Sequence, residues 1–188
     1  MSKILWFDLE TSGLDPVKNG IIQFAALIDI DGEIVETVDF LMNPEGKEVS
    51  PDALQVQGRT LEGVKAYRPA LEVRPDIKAA LARHVDPYNR SDKFIVGGFN
   101  VQFDIGFLEQ LWKEAGDNYL RSFLGPLIID PFRIQGFMEW AGACPIPPRR
   151  NLETLCGAWG VELGNAHNAL ADITATRELA LKMREKLA

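Results

Sequence analysis

Residues 4–15, ILWFDLETSGLD, set two carboxylates at the end of an otherwise apolar run. Ile4, Leu5, Trp6 and Phe7 read as a buried strand. In a strand, residues i and i+2 point to the same face, so Asp8 and Glu10 share one side of a largely buried element. Like charges in that position repel and lose hydration, which is expensive without a compensating partner. A cation between them relieves both costs, and a metal ion is the first choice. Gly13 then breaks the chain directly after the pair.

The 188 residues fit one domain with a substantial core. No run of about 18 apolar residues exists, so no membrane span is expected. The start, MSKILWFDLE, has no signal-peptide pattern, and a cytoplasmic protein is inferred. Cys144 and Cys156 match neither a zinc spacing nor a redox pair. With 20 Lys and Arg against 27 Asp and Glu, the formal net charge is −7. That argues against a protein that coats nucleic acid through a basic surface. It leaves room for an enzyme that holds only a few nucleotides through metal ions and local basic groups.

Along the chain, strand Lys3–Phe7 leads through a turn into two strands joined at Asp31-Gly32, a strong hairpin signal. Three antiparallel N-terminal strands are expected. Ser50, Pro51 and Gly58 bracket a short helix as cap, first residue and stop. A second helix is expected over 70–84, then a buried strand at Phe94–Gly98. Apolar residues at Ile105, Leu108, Leu111, Trp112 and Ala115 follow a helical period, with Asn100 as the expected cap. Leu127–Pro131 reads as the fifth strand, and Asp130-Pro131 as cap and first residue of a helix over 132–141. Asn151 caps a helix over 152–159, and a last helix carries Leu170, Ile173, Ala180, Met183 and Leu187 on one face. The order predicts a single α/β domain, residues 1–188, with a five-stranded mixed sheet flanked by helices.

The remaining acids near strand ends and helix starts are Asp104, in NVQFD, and Asp172, in HNALAD. His167 and Asp172 are five apart and would not share a helix face; the arrangement works if His167 lies in the loop and Asn168 caps the helix. Four carboxylates balance two divalent ions. Two-metal phosphodiester cleavage brackets the scissile phosphate with ions about 3.5–4 Å apart. Hard cations such as Mg²⁺ and Mn²⁺ prefer oxygen donors. A histidine with an unperturbed pKa of roughly 6.5 suits deprotonation of the attacking water.

FDLETSGL, NVQFD and HNALAD, in this order, resemble the three motifs of the DEDDh (DnaQ-like) 3′→5′ exonucleases, which have a ribonuclease-H-like fold. The resemblance spans Asp8 to Asp172. It implies that Asp8 bridges two metals, that Glu10 and Asp172 hold the ion that activates water, that Asp104 supports the second ion's site, and that His167 is the general base. It also makes Thr11, Ser12, Gly13 and Leu14 contacts of the 3′-terminal nucleotide, with Leu14 as a wedge, and Asn100, Phe103 and Phe107 residues of the substrate site. Ser12 stands where a threonine is common in relatives. The implied partners are single-stranded DNA or RNA 3′ ends. A homodimer and a polymerase partner both stay open, since family members include dimers and proofreading subunits.

Each piece has a plainer reading. Asp104 can simply cap its helix. Phe103 and Phe107 are core-like first, and Arg149 and Arg150 read as a solvated loop that could instead touch a phosphate backbone. D-x-E alone is a weak signal; the ordered set is strong. The expectation is a metal-dependent 3′→5′ exonuclease releasing nucleoside 5′-monophosphates, with DNA slightly favoured over RNA. The rivals are an RNA-trimming relative, a proofreading subunit, a ribonuclease-H-like endonuclease and a catalytically silent binding module.

Overall fold

The computed structural model describes residues 2–164 and 167–187. Strands β1 (Lys3–Thr11), β2 (Ile21–Ile30) and β3 (Glu33–Leu41) form an antiparallel meander. Asp31 and Gly32 both have positive φ, 53° and 95°, the geometry that a two-residue I′ turn demands. Strand β4 (Phe94–Gly97) pairs parallel to β1, and β5 (Leu124–Ile129) parallel to β4. The sheet order is β3-β2-β1-β4-β5, the five-stranded mixed sheet expected from the sequence.

Alternation along β1 sorts the interior. Leu5, Phe7 and Leu9 face one core with Phe24, Ala26 and Ile28 of β2. Helices α3 (Ala70–Ala82) and α4 (Gln102–Glu114) cover that side, contributing Val73, Ile77, Ile105 and Leu108. Trp6 faces the other side with Ala25 and Leu27, under Ala169, Ile173 and Ala180 of α7 (Ala169–Leu187). Asp8 and Glu10 continue the Trp6 side, so the acids emerge beneath the start of α7. Between them, α5 (Pro131–Trp140) and α6 (Leu152–Trp159) pack beside α7 around Met138, Leu155 and Leu179.

Local signals set most boundaries. Ser50 caps α1 (Pro51–Val56), and Asn151 caps α6 by accepting from the Thr154 N–H at 3.0 Å. A five-residue helix α2 (Leu61–Lys65), capped by Thr60, was not anticipated. Strand β5 starts three residues before the expected Leu127 and ends at Ile129. The cause of the misreading is Gly125-Pro126, which looks like a turn but is tolerated because β5 is an edge strand. Asn100 does not cap α4: Val101 occupies the cap position without a side-chain bond. Among the described residues no helix is long and apolar enough to cross a membrane.

Candidate active site

The acids converge because three elements end at one place. β1 brings Asp8 and Glu10, and a register shift at Glu10/Thr11 bends the strand just beyond them. α7 brings Asp172 in its first turn, and α4 brings Asp104 in its own. One oxygen from each of Asp8, Glu10 and Asp172 lies within 4.8 Å of the others. Asp104 stands outside that trio. It is buried, and its carboxylate is held partly in check by the backbone N–H groups of Asp104 itself and Leu9.

Electrostatics here are unfavourable without a cation. Burial, then the charges of Asp104, Glu10 and Asp172, push the Asp8 carboxyl well above the usual carboxylate range. Burial and the Asp172 charge push Glu10 up to about 7, with Arg59 opposing. Asp104 and Asp172 are raised as well, chiefly by burial. Asp172 Oδ1 is buried and has no hydrogen-bond partner among the described residues, an arrangement that proteins normally avoid. An unpartnered oxygen amid three more crowded carboxylates fits a hard divalent cation with oxygen ligands.

His167 sits in the turn before α7 with φ 64°. Its backbone N–H donates to Asp172 Oδ2 at 3.2 Å. Asn168 Oδ1 accepts the Ala171 N–H at 3.2 Å, as a helix cap does. The side chain of His167 is thus left exposed next to Asp172, and its charge lowers the Asp172 carboxyl. Asn100 also has positive φ, 52°, and its N–H is held by Asp130 Oδ1 at 2.9 Å. The same oxygen accepts the Phe132 N–H at 3.0 Å, which starts α5.

The turn after β1 is built from the inside. Ser12 is fully buried; its hydroxyl donates to the Glu48 carbonyl and accepts the Gly20 N–H. Thr11 Oγ1 donates to the Gly13 carbonyl at 2.7 Å. A Cβ on Gly13 would meet the side chain of Asn19, whose amide is held by the Asp15 N–H and the Glu48 carbonyl, so close packing favours glycine there. Leu14 projects outward, 84% exposed. Phe103 and Phe107 pack on each other at 5.0 Å, and Phe107 is buried in the α4 core. Arg150 is engaged by Glu139.

Two residues around Glu10 were not read from the sequence. Gln23 lies opposite Glu10 in the β1–β2 ladder and is buried. Its Oε1 accepts from Arg59 Nη2 at 2.7 Å, and its Nε2 donates to Asp39 at 2.8 Å. The available signal was the lone glutamine inside the apolar run IIQFAALI.

The sequence profile of the RNase_T exonuclease family matches residues 5–180. The chain belongs to this exonuclease family. It is thereby a DnaQ-like member of the ribonuclease-H-like superfamily. The DNA polymerase III PolC-type of Bacillus subtilis (strain 168) is 28% identical over 177 residues, covering 94% of this chain and 11% of the polymerase. That of Streptococcus agalactiae serotype III is 30% identical over 174 residues, covering 92% and 10%. Among solved structures, Exonuclease I superposes with a TM-score of 0.80 at 23% identity, over 98% of this chain and 41% of that one. Escherichia coli Exonuclease I in complex with a dT13 oligonucleotide gives 0.80 at 22%, over 99% and 41%. These likenesses establish a shared ribonuclease-H-like fold. The chain spans about a tenth of the length of the polymerases it matches and about two fifths of Exonuclease I.

Proposed function

We propose that this chain is a metal-dependent 3′→5′ exonuclease that removes nucleoside 5′-monophosphates from single-stranded or frayed 3′ ends, with DNA favoured over RNA. The observation that carries this reading is the Asp8–Glu10–Asp172 cluster with its unpartnered Asp172 oxygen. The DNA preference is supported by the relatives: the matched curated proteins are DNA polymerases, and Exonuclease I is described in complex with dT13. The family's divalent ions, Mg²⁺ or Mn²⁺, would be held by Asp8, Glu10 and Asp172, with Asp104 as support. When bound they supply Lewis acidity, which acidifies a water and stabilises the leaving 3′-oxygen.

The protein's own groups do the rest. His167 takes the proton from the attacking water as its oxygen bonds to phosphorus. The His167–Asp172 backbone bond fixes where that imidazole is presented. As the phosphorus–3′-oxygen bond breaks, the 3′-oxygen takes up a proton and the 5′-monophosphate departs. Thr11, Ser12, Gly13 and Leu14 form the turn that would meet the terminal nucleotide, Leu14 by its exposed side chain and Ser12 by its backbone, since its hydroxyl is already used inside the turn. Asn100 and Phe103 would also meet the substrate, with Phe107 packed against Phe103 from within the core.

Residues 1–188 would constitute one exonuclease domain, and the two free thiols suit a reducing, cytoplasmic setting. The PolC likeness makes a polymerase-associated proofreading role the second reading. The decisive test is digestion of end-labelled DNA and RNA single strands with Mg²⁺ or Mn²⁺. Stepwise shortening from the 3′ end is expected, faster on DNA. A folded protein that releases no mononucleotide from either strand overturns the proposal.

A further inference from the structure

Helix α5 buries one face and leaves an unusual one bare. Met138 and Gln135 anchor it to α6 and α7, Gln135 Oε1 accepting the Trp159 indole N–H at 2.9 Å. On the opposite side, Arg133, Phe137 and Trp140 fall at i, i+4 and i+7, within an arc of about 60° over about 10 Å of helix. Phe137 is 58% exposed and Trp140 82%, with ring centroids 5.8 Å apart. Adjacent exposed aromatics on one helix face mark an interaction surface. Gly136 adds to this. Nothing lies within 4 Å of where a Cβ on Gly136 would stand, so the helix surface one turn before Trp140 is open.

The stripe itself carries one cation and no carboxylate. The only carboxylate within α5, Glu139, is tucked away and paired with Arg150. Arg133 has a side chain 64% exposed, with its Nε 3.3 Å from Asp130 Oδ2 and the outer part of the guanidinium open to solvent. The stripe is also continuous with the candidate active site: Asp130 holds both the Asn100 N–H and the first turn of α5, and Phe99 meets Phe132 edge-on at 5.8 Å.

We propose that the Arg133–Phe137–Trp140 stripe is a stacking platform for the single strand upstream of the terminal nucleotide. This rests on the exonuclease reading above. Bases stack on aromatic rings without regard to sequence, and arginine offsets phosphate charge, so the platform holds a strand that must slide as it shortens. Its occupant is nucleic acid, whose bases and phosphates match two exposed rings beside a guanidinium.

The test is equilibrium binding of a 5′-fluorescein thymidine 20-mer in Ca²⁺, followed by anisotropy, to the wild-type chain and the Phe137→Ala/Trp140→Ala variant. Both positions are exposed, and an unchanged Tm verifies folding. The double variant is expected to bind about tenfold or more weakly, and Arg133→Ala to lower the salt slope by about one. Equal affinities, or no binding by the wild-type chain, overturn the platform. A platform that instead docks a protein also gives equal affinities. Cleavage in Mg²⁺, recorded in parallel, separates this from the nuclease reading: a chain that cuts while the variant binds equally loses only the platform.

Discussion

Gln23 stands directly across the β1–β2 ladder from Glu10, and its amide joins four elements around that acid. Arg59 of the α1–α2 junction donates to it, Asp39 of β3 accepts from it, and the Ala169 N–H at the start of α7 points to its Oε1 at 3.4 Å. It thus ties the strand that bears Glu10 to the helix that bears Asp172. Gln23→Leu leaves Arg59 and Asp39 without that buried partner, which costs about 1–3 kcal/mol. Chemical denaturation should register the loss, and Mn²⁺ titration should show weaker binding. Unchanged Mn²⁺ affinity would limit Gln23 to a structural role.

Asp8→Asn separates stability from activity. The substitution keeps shape but removes the charge most crowded by Asp104, Glu10 and Asp172. Metal-free Asp8→Asn should therefore melt above the wild-type chain, a trade of stability for function. Its exonuclease rate should fall by more than the roughly 10–100-fold that losing an outer-shell partner costs. Thermal melts in EDTA and oligonucleotide digestion check the two halves separately. A lower melting temperature would contradict the electrostatic account.

What could be read from the sequence was local. The hairpin at Asp31-Gly32, the caps Ser50, Asp130 and Asn151, and the period-2 run that aligns Trp6, Asp8 and Glu10 are set by near neighbours. What escaped depends on distant contacts. Asn100 looked like a cap, but Asp130, thirty residues on, holds its N–H. The packing of Gly13 against Asn19 likewise depends on how the turn after β1 closes on itself. Arg59 gave no local sign of its place beside Gln23, because only the folding of α1 and α2 over β2 brings it there.

His167 is held by its backbone and its side chain is exposed, so that side chain can be exchanged without disturbing the fold. Its N–H bond to Asp172 survives in His167→Gln. Loss of a general base lowers rate by about 10²–10⁴-fold, and that drop is expected in kcat with little change in Mn²⁺ affinity or Tm. A comparable drop in Mn²⁺ affinity would assign His167 to the metal cluster instead.

The raised carboxyls also fix how the metal-free chain responds to pH. Glu10 titrates near 7 in the fold against 4.5 when unperturbed, so between those values the folded chain binds more protons than the unfolded one. Stability then falls as pH rises through this window. It is greatest below about 4.5 for this group and its loss is complete above about 7, a difference of roughly 3 kcal/mol from the shift alone. Asp8, Asp104 and Asp172 shift in the same direction and add to it. A bound dication reverses the trend, because it needs the ionised carboxylates and stabilises only the fold. Melting curves in EDTA should therefore decline from pH 5 to pH 8, and Mg²⁺ should raise the melting temperature far more at pH 8 than at pH 5. A metal-free melting temperature that climbs across that range would mean the four acids are not crowded together in solution.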